Sequence, residues 1–362
     1  MLLCQITKSI MKKIGSINII LFIFFIGCEK NPVNVDTYFN KQEKLHAEKI
    51  IPIKDLYIKF PKIYNLTDSS LVISAIAMNF TSNDHLICII GKHTGKIIKE
   101  LGKGGRGPDE LTTLSNIDKL NNKIVFYDPM SRKILLYENK TDSVSHQTLG
   151  AQKKYMYRNL YMIDDNKFLS SGDFENSMYY YGDLSTGECS LHLSYPYLPD
   201  IPEDKQENFQ IARSLAFSGN MVKQPGGKRL AYYARSAGYL QIIEISTPSI
   251  EEVMHWYFAH PTGKLVNRGG YNIWVQDMEK STDSFLSGTA SKKFIYLLYS
   301  GKPRSHNKGS KVFVFDWNGN RIKILELDQE VKAISIDRED RNIYAITIND
   351  KTLNSEIIHY VL

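Results

Sequence analysis

Apolar residues in this chain come in short runs rich in Ile, Leu, Val, Tyr and Phe, and the breaks between runs are clusters of Gly, Asn, Asp, Ser and Pro. That pattern predicts strands joined by turns rather than helices. Five times, two runs flank one turn: 86–90 with 96–101, 133–138 with 143–149, 178–181 with 188–193, 240–245 with 250–257, and 311–315 with 321–327. The last surrounds Asn318-Gly319, a strong signal for a two-residue hairpin because both residues tolerate positive φ. Turn centres at His93, Lys140, Ser185, Pro248 and Asn318 lie 47, 45, 63 and 70 residues apart, each interval enough for a four-stranded module with its loops. Further strands at 123–127, 167–170 and 293–299 precede the second, third and fifth hairpins.

The fold class this predicts is all-β, a six-bladed β-propeller. A sixth module at 331–336, 342–348 and 356–362 shows three strands only. The N-terminal strand 48–53 is expected to supply the fourth and close the ring, since an uncovered edge strand invites unwanted pairing. A pair of β-sandwiches would explain the short strands, but neither their spacing nor the incomplete module.

Ahead of the modules, Lys12 and Lys13, the apolar run 19–26, Gly27 and Cys28 stand in the order of an export signal that ends in a lipid-modified cysteine. From 14 to 26 the apolar stretch is interrupted by Gly15, Ser16 and Asn18 and falls short of the roughly 20 apolar residues a membrane-spanning helix needs. Translation is expected to start at Met11, and lipidation at Cys28. The domain organisation is therefore a signal peptide at 1–27, a polar, aperiodic flexible tether at 28–45, and the propeller at 46–362. Such a chain belongs in the cell envelope, held to the outer membrane by its lipid.

Loss of Lys8, Lys12 and Lys13 with the signal lowers the formal charge from +6 to +3. The remaining basic residues alternate with acids, as across Lys323, Glu326, Asp328, Glu330 and Lys332, which argues against a nucleic-acid partner. Cys88 and Cys189 fall in non-adjacent modules and are expected to be two buried thiols.

The segment Gly105-Arg106-Gly107-Pro108-Asp109-Glu110-Leu111, ahead of the strand at 123–128, resembles the TolB-like six-bladed propeller lipoproteins of Bacteroides-type bacteria. It is also similar to the Gly-Pro-Gly-Glu-Phe stretch of NHL-repeat propellers, from which it departs at Asp109 and Leu111. The resemblance implies a propeller fold and an envelope location, and no catalytic residue.

Gly102-Lys103-Gly104-Gly105-Arg106-Gly107 also matches the G-x-G-x-x-G of dinucleotide sites, with Asp128 near the position of a ribose-binding acid. A charged strand before it and no long helix after it favour a blade-to-blade crossing, where glycines supply positive φ. No metal and no cofactor is expected. His255 and His260 have no second pair in register, and convergence of Asn159, Asp164, Asn272 and Asp337 on a calcium ion is the alternative a metal-dependent hydrolase or lyase would require. The tyrosines of the third module, Tyr155 to Tyr197, suit a half-exposed sheet better than a sugar platform. Candidate ligand contacts are Arg106 at the channel mouth and Tyr157, Arg158 and Arg213 on the expected innermost strands of the third and fourth blades. The function expected is non-enzymatic binding of a protein or glycan partner by a monomer.

Overall fold

The computed structural model describes residues 34–53, 58, 61–74, 84–150, 155–199, 201–349 and 351–362. The signal segment and Cys28 lie outside the described residues.

Six antiparallel sheets follow one another along the chain. From the innermost strand outward, blade 1 is Ile63–Asn65, Ser70–Ser74, His85–Gly91 and Ile97–Gly104; blade 2 is Asn116–Leu120, Lys123–Asp128, Lys133–Glu138 and Ser143–Thr148. Blade 3 is Met156–Met162, Lys167–Phe174, Ser177–Asp183 and Cys189–His192; blade 4 is Gly219–Lys223, Arg229–Ala234, Gly238–Ser246 and Ser249–Ala259. Blade 5 is Thr282–Ala290, Phe294–Pro303, Gly309–Asp316 and Arg321–Val331, and blade 6 is Ala333–Ile336, Asn342–Ile348 and Ser355–Val361. The five hairpins read from the sequence are the outer strand pairs of blades 1 to 5.

Blade 6 is completed by Ala47–Ile53, which runs antiparallel to Ser355–Val361 with Ile51 opposite Ile357 and Ile53 opposite Ser355. The ring is closed by an N-terminal strand, as the incomplete sixth module implied. Ile51 and Ile53 are buried against Ile73 and Ile90 of blade 1 and Tyr344 and Ile346 of blade 6, so the strand is held by packing as well as by its ladder.

Second strands such as Ser70–Ser74 and Asn342–Ile348 are buried on both faces, because each sheet is sandwiched between two neighbours. Their sequences accordingly read as unbroken apolar runs. Six apolar clusters fill the six blade junctions. The tyrosine-rich third blade follows from the strand period of two: Tyr179 and Tyr181 point into the junction with blade 4, and Tyr180 into the junction with blade 2.

Four features differ from the sequence-based expectation. The segment read as a tether is folded from Val35 onward: a 3-10 turn, Val35–Tyr38, buries Val35 and Phe39 in the blade 4–5 cluster, and Gln42–Leu45 pairs in parallel with Arg321–Val331. Phe39 lies 4.9 Å from the ring of Phe313 and 5.5 Å from that of Phe315. Two apolar anchors four residues apart leave too little periodicity to see. Second, Asn318-Gly319 sits in a four-residue connection in which Gly319 alone takes positive φ, +85°, while the Asp316 carboxylate accepts the Asn318 and Asn320 amides at 2.9 Å. Third, Cys189 is exposed on an outer strand; Cys88 is buried as expected. Fourth, the long intervals after blades 3 and 4 are insertions: a 3-10 segment, Glu203–Phe209, leads into the helix Gln210–Ala216, and a hairpin joins Lys264–Arg268 to Tyr271–Val275. The two insertions pack against each other.

The glycine-rich stretch is the crossing from blade 1 to blade 2. Glu110–Leu111 pairs in parallel with the end of Ile97–Gly104, and the Glu110 carboxylate accepts the Gly107 amide at 2.7 Å. At Gly105, φ +153°, a Cβ would come within 2.1 Å of that carboxylate. Asp128 is consumed locally, accepting from the amide and hydroxyl of Thr112 and from the Ser131 hydroxyl at 2.7 Å each.

Candidate functional site: the axial channel

An innermost strand carries a ladder on one edge only, so its other edge presents unpaired amides and carbonyls toward the axis. Short polar side chains of neighbouring innermost strands satisfy many of them. Asn116 donates to the Leu160 carbonyl at 2.7 Å and accepts the Leu160 amide at 3.0 Å; Asn159 donates to the Gly219 carbonyl at 2.9 Å. The Thr289 hydroxyl accepts the Ile336 amide at 3.2 Å, and Asn65 donates to the Ile336 carbonyl at 3.4 Å. These contacts stitch blade 2 to 3, 3 to 4, 5 to 6 and 6 to 1, and they explain why innermost strands read as polar.

The ring encloses a cavity of about 800 Å³. That lies within the roughly 300–1,000 Å³ typical of ligand sites. A second cavity, about 180 Å³ between the helix and the inserted hairpin and lined by Glu207, Ile211 and Tyr271, falls below it.

Cations dominate the channel wall. Lys62 and Lys332 precede their innermost strands and Arg235 follows a second strand, so these three share one mouth, the face on which the chain crosses between blades. Lys119, Lys223, Lys292 and Arg338 lie at or beyond the far ends of innermost strands and share the other. The lining acids are Asp118, Asp337 and Glu339. Lys223 donates to Asp118 at 2.6 Å and to the carbonyls of Lys119 at 2.9 Å and Met162 at 3.1 Å, which ties blades 2, 3 and 4 together. Burial pushes the Asp118 carboxyl up while Lys223 pulls it back. Asp337 and Glu339 both act on buried Lys92, which stands over the Tyr344 ring at 4.5 Å. Arg235 is paired with Asp283 at 2.7 Å. Lys62, Lys119, Lys292 and Arg338 have no hydrogen-bond or ion-pair partner for their charged ends among the described residues. Burial, reinforced by Arg235, pushes the Lys62 ammonium down to about 8.

The residues singled out from the sequence lie elsewhere. Arg106 is exposed on the blade 1–2 crossing and does not line the channel. Tyr157 is on the innermost strand of blade 3 but turns into the blade 2–3 junction, 5.0 Å from Tyr180 and 5.2 Å from Phe174. Arg158, at a bulge in the same strand, donates to the Ser214 carbonyl at 2.5 Å and the Ser214 hydroxyl at 3.2 Å. Arg213 is not on a strand; it belongs to the helix, whose Ala212 and Ala216 face the core one turn apart. Its guanidinium is buried, bonded to the carbonyls of Tyr195 and Pro196 and 5.0 Å from the Tyr197 ring. Arg158 and Arg213 thus fasten the insertion to blade 3.

The four residues a calcium site would draw on do not converge. Asn159 is bonded to Gly219 and Ser171, Asp164 caps the Asn166 and Lys167 amides in a turn, Asn272 accepts from Asn267 in the inserted hairpin, and Asp337 accepts from Arg341 and Asn342. Among the described residues, no three His, Cys, Asp or Glu side chains gather around one point. His255 pairs with Glu252 and His260 with the Tyr257 hydroxyl, each at 2.7 Å. The channel cations carried no sequence signal of their own: they come from five of the six blades, each near a strand end.

No curated protein matches the chain. Among solved structures it is similar to a Bacteroides fragilis protein described as exported, at 14% identity and a TM-score of 0.50, covering 89% of this chain and 98% of that one. The WD40 domain of Neurospora crassa Pan2 aligns at 10% identity over 83% of this chain and 87% of that one, TM-score 0.43. U3-55K aligns at 9% identity over 87% and 99%, TM-score 0.48. The family model described as TolB-like 6-blade propeller-like matches residues 38–339, most of the six blades, and the chain therefore belongs to that family.

Proposed function

We propose that this chain is a non-enzymatic binding lipoprotein of the cell envelope, anchored to the outer membrane through Cys28, whose propeller takes a glycan or a segment of a partner protein into its axial channel. The observation that carries this reading is the channel itself: about 800 Å³, polar-walled, with four cations that have no partner among the described residues. The location rests on the order of Lys12, Lys13, the apolar run, Gly27 and Cys28, and is supported by the exported Bacteroides relative.

The test is a glycan and peptide array probed with the full chain and with an Asn220→Trp variant. Asn220 lines the channel from blade 4, and an indole there narrows the bore. Binding that is lost in the variant, with an unchanged thermal melt, supports the proposal. Binding that persists places the site elsewhere.

A further inference from the structure

We propose that the channel ligand is an elongated anion with an acid group near each end, one held at the Lys62 mouth and the other at the Lys119–Arg338 mouth. This rests on the channel being the binding site, and adds the chemistry of what enters it.

The wall's acids are outnumbered, three against seven cations: Asp118 is bonded to Lys223, Asp337 accepts the Arg341 amide and the Asn342 side chain, and Asp337 and Glu339 act electrostatically on Lys92. What remains uncompensated is positive and lies at both ends. At one mouth the Lys62 ammonium, without a partner among the described residues, feels the charge of the Arg235 guanidinium. At the other, Lys119 and Arg338 come from blades 2 and 6 and repel each other, and neither has a partner among the described residues. Like charges brought close together cost free energy that an anionic ligand lowers. Tyr64 lies between the stations. It is on the innermost strand of blade 1, lines the channel, and senses both Asp118 and Arg338. Burial holds its hydroxyl protonated, so it can donate.

Spacing limits the class further. The innermost strand Asn116–Leu120 spans four residue steps of about 3.3 Å, so about 13 Å separates the mouths. A single acid group cannot reach both stations, whereas a short oligomer with an acid on each unit can. Carboxylate and phosphate share the required chemistry.

Calorimetric titration of the full chain separates the sources. The probes are trigalacturonate, inorganic tripolyphosphate, galacturonate monomer, and maltotriose as the uncharged counterpart of the first. We expect trigalacturonate or tripolyphosphate to bind at least about 10-fold tighter than both the monomer and maltotriose, with affinity falling as salt rises. The tighter of the two acids identifies carboxylate or phosphate. Lys62→Met and Arg338→Met should each weaken that probe about 10-fold or more. Arg338 is exposed, so its variant folds whatever becomes of the other. Maltotriose binding as tightly as trigalacturonate, acid binding untouched by both substitutions, or no binding of either multivalent acid would each overturn the inference. Should Asn220→Trp abolish array binding while both charge variants leave it intact, the channel remains the site and only its anionic preference fails.

Discussion

Lys223→Met is the substitution on which the inner ring depends most. Lys223 is the one side chain described here that bonds to Asp118 of blade 2, the Lys119 carbonyl of blade 2 and the Met162 carbonyl of blade 3 from a strand of blade 4. Its side chain is 18% exposed and that of Asp118 8%, so water screens the pair weakly. Removing the ammonium leaves a buried carboxylate and two carbonyls without their donor, and breaking a buried pair from one side costs about 3–5 kcal/mol. Asp118→Asn keeps an acceptor for Lys223 and leaves both carbonyl bonds, so about 1–3 kcal/mol is expected. The double variant no longer buries a lone charge, and its loss should fall short of the sum of the singles by at least about 1 kcal/mol. Urea unfolding followed by the fluorescence of Trp256, Trp274 and Trp317 measures all three. A Lys223→Met loss under about 1 kcal/mol, additive with Asp118→Asn, would refute the reasoning by showing that the pair is solvated.

Three further outcomes are expected. Ile53→Ala, in the closing strand and fully buried, should cost about 2–5 kcal/mol in urea unfolding, whereas Ile50→Ala, 45% exposed on the same strand, should stay within about 0.5 kcal/mol; equal effects would mean that the strand does not pack. Burial pushes the Cys88 thiol up to about 12, so maleimide at pH 7 should label Cys189 and spare Cys88 until urea is added, as intact mass will show. The folded Lys62 value near 8 lies below its ordinary 10.5, so the unfolded chain binds more protons between those values. This group's contribution to stability therefore rises from pH 8 to 10.5, visible as the wild type gaining on Lys62→Met in urea midpoint, while acid-probe affinity falls through pH 8; a flat difference would contradict the Lys62 assignment.

Much of the fold was legible because propellers write it locally. The outer hairpins announce themselves by turn residues such as Asp183-Leu184-Ser185-Thr186-Gly187, where one carboxylate accepts the Ser185 and Thr186 amides, and the sixth module advertised its missing strand. The innermost strands were harder to read. Ile63–Asn65 has three residues and Ala333–Ile336 four, too few for a period, and their polar members are chosen for neighbours about 45 or 270 residues away, as with Asn116 and Leu160 or Asn65 and Ile336. The same distance hides the channel charges. Arg158 and Arg213 were expected on the innermost strands of blades 3 and 4, yet they fasten the helical insertion, whose helix is too short to show amphipathic spacing strongly.

The most direct test of the central claim, that ligand enters the channel, is photocrosslinking in intact producing cells with a benzophenone amino acid placed at Asn220 in the channel wall and, separately, at Val144 on the exposed outer strand of blade 2. The account predicts a discrete ligand adduct from position 220 and none from 144. Adducts from 144 alone, or equal adducts from both, would contradict it and move recognition to the outer surface of the ring.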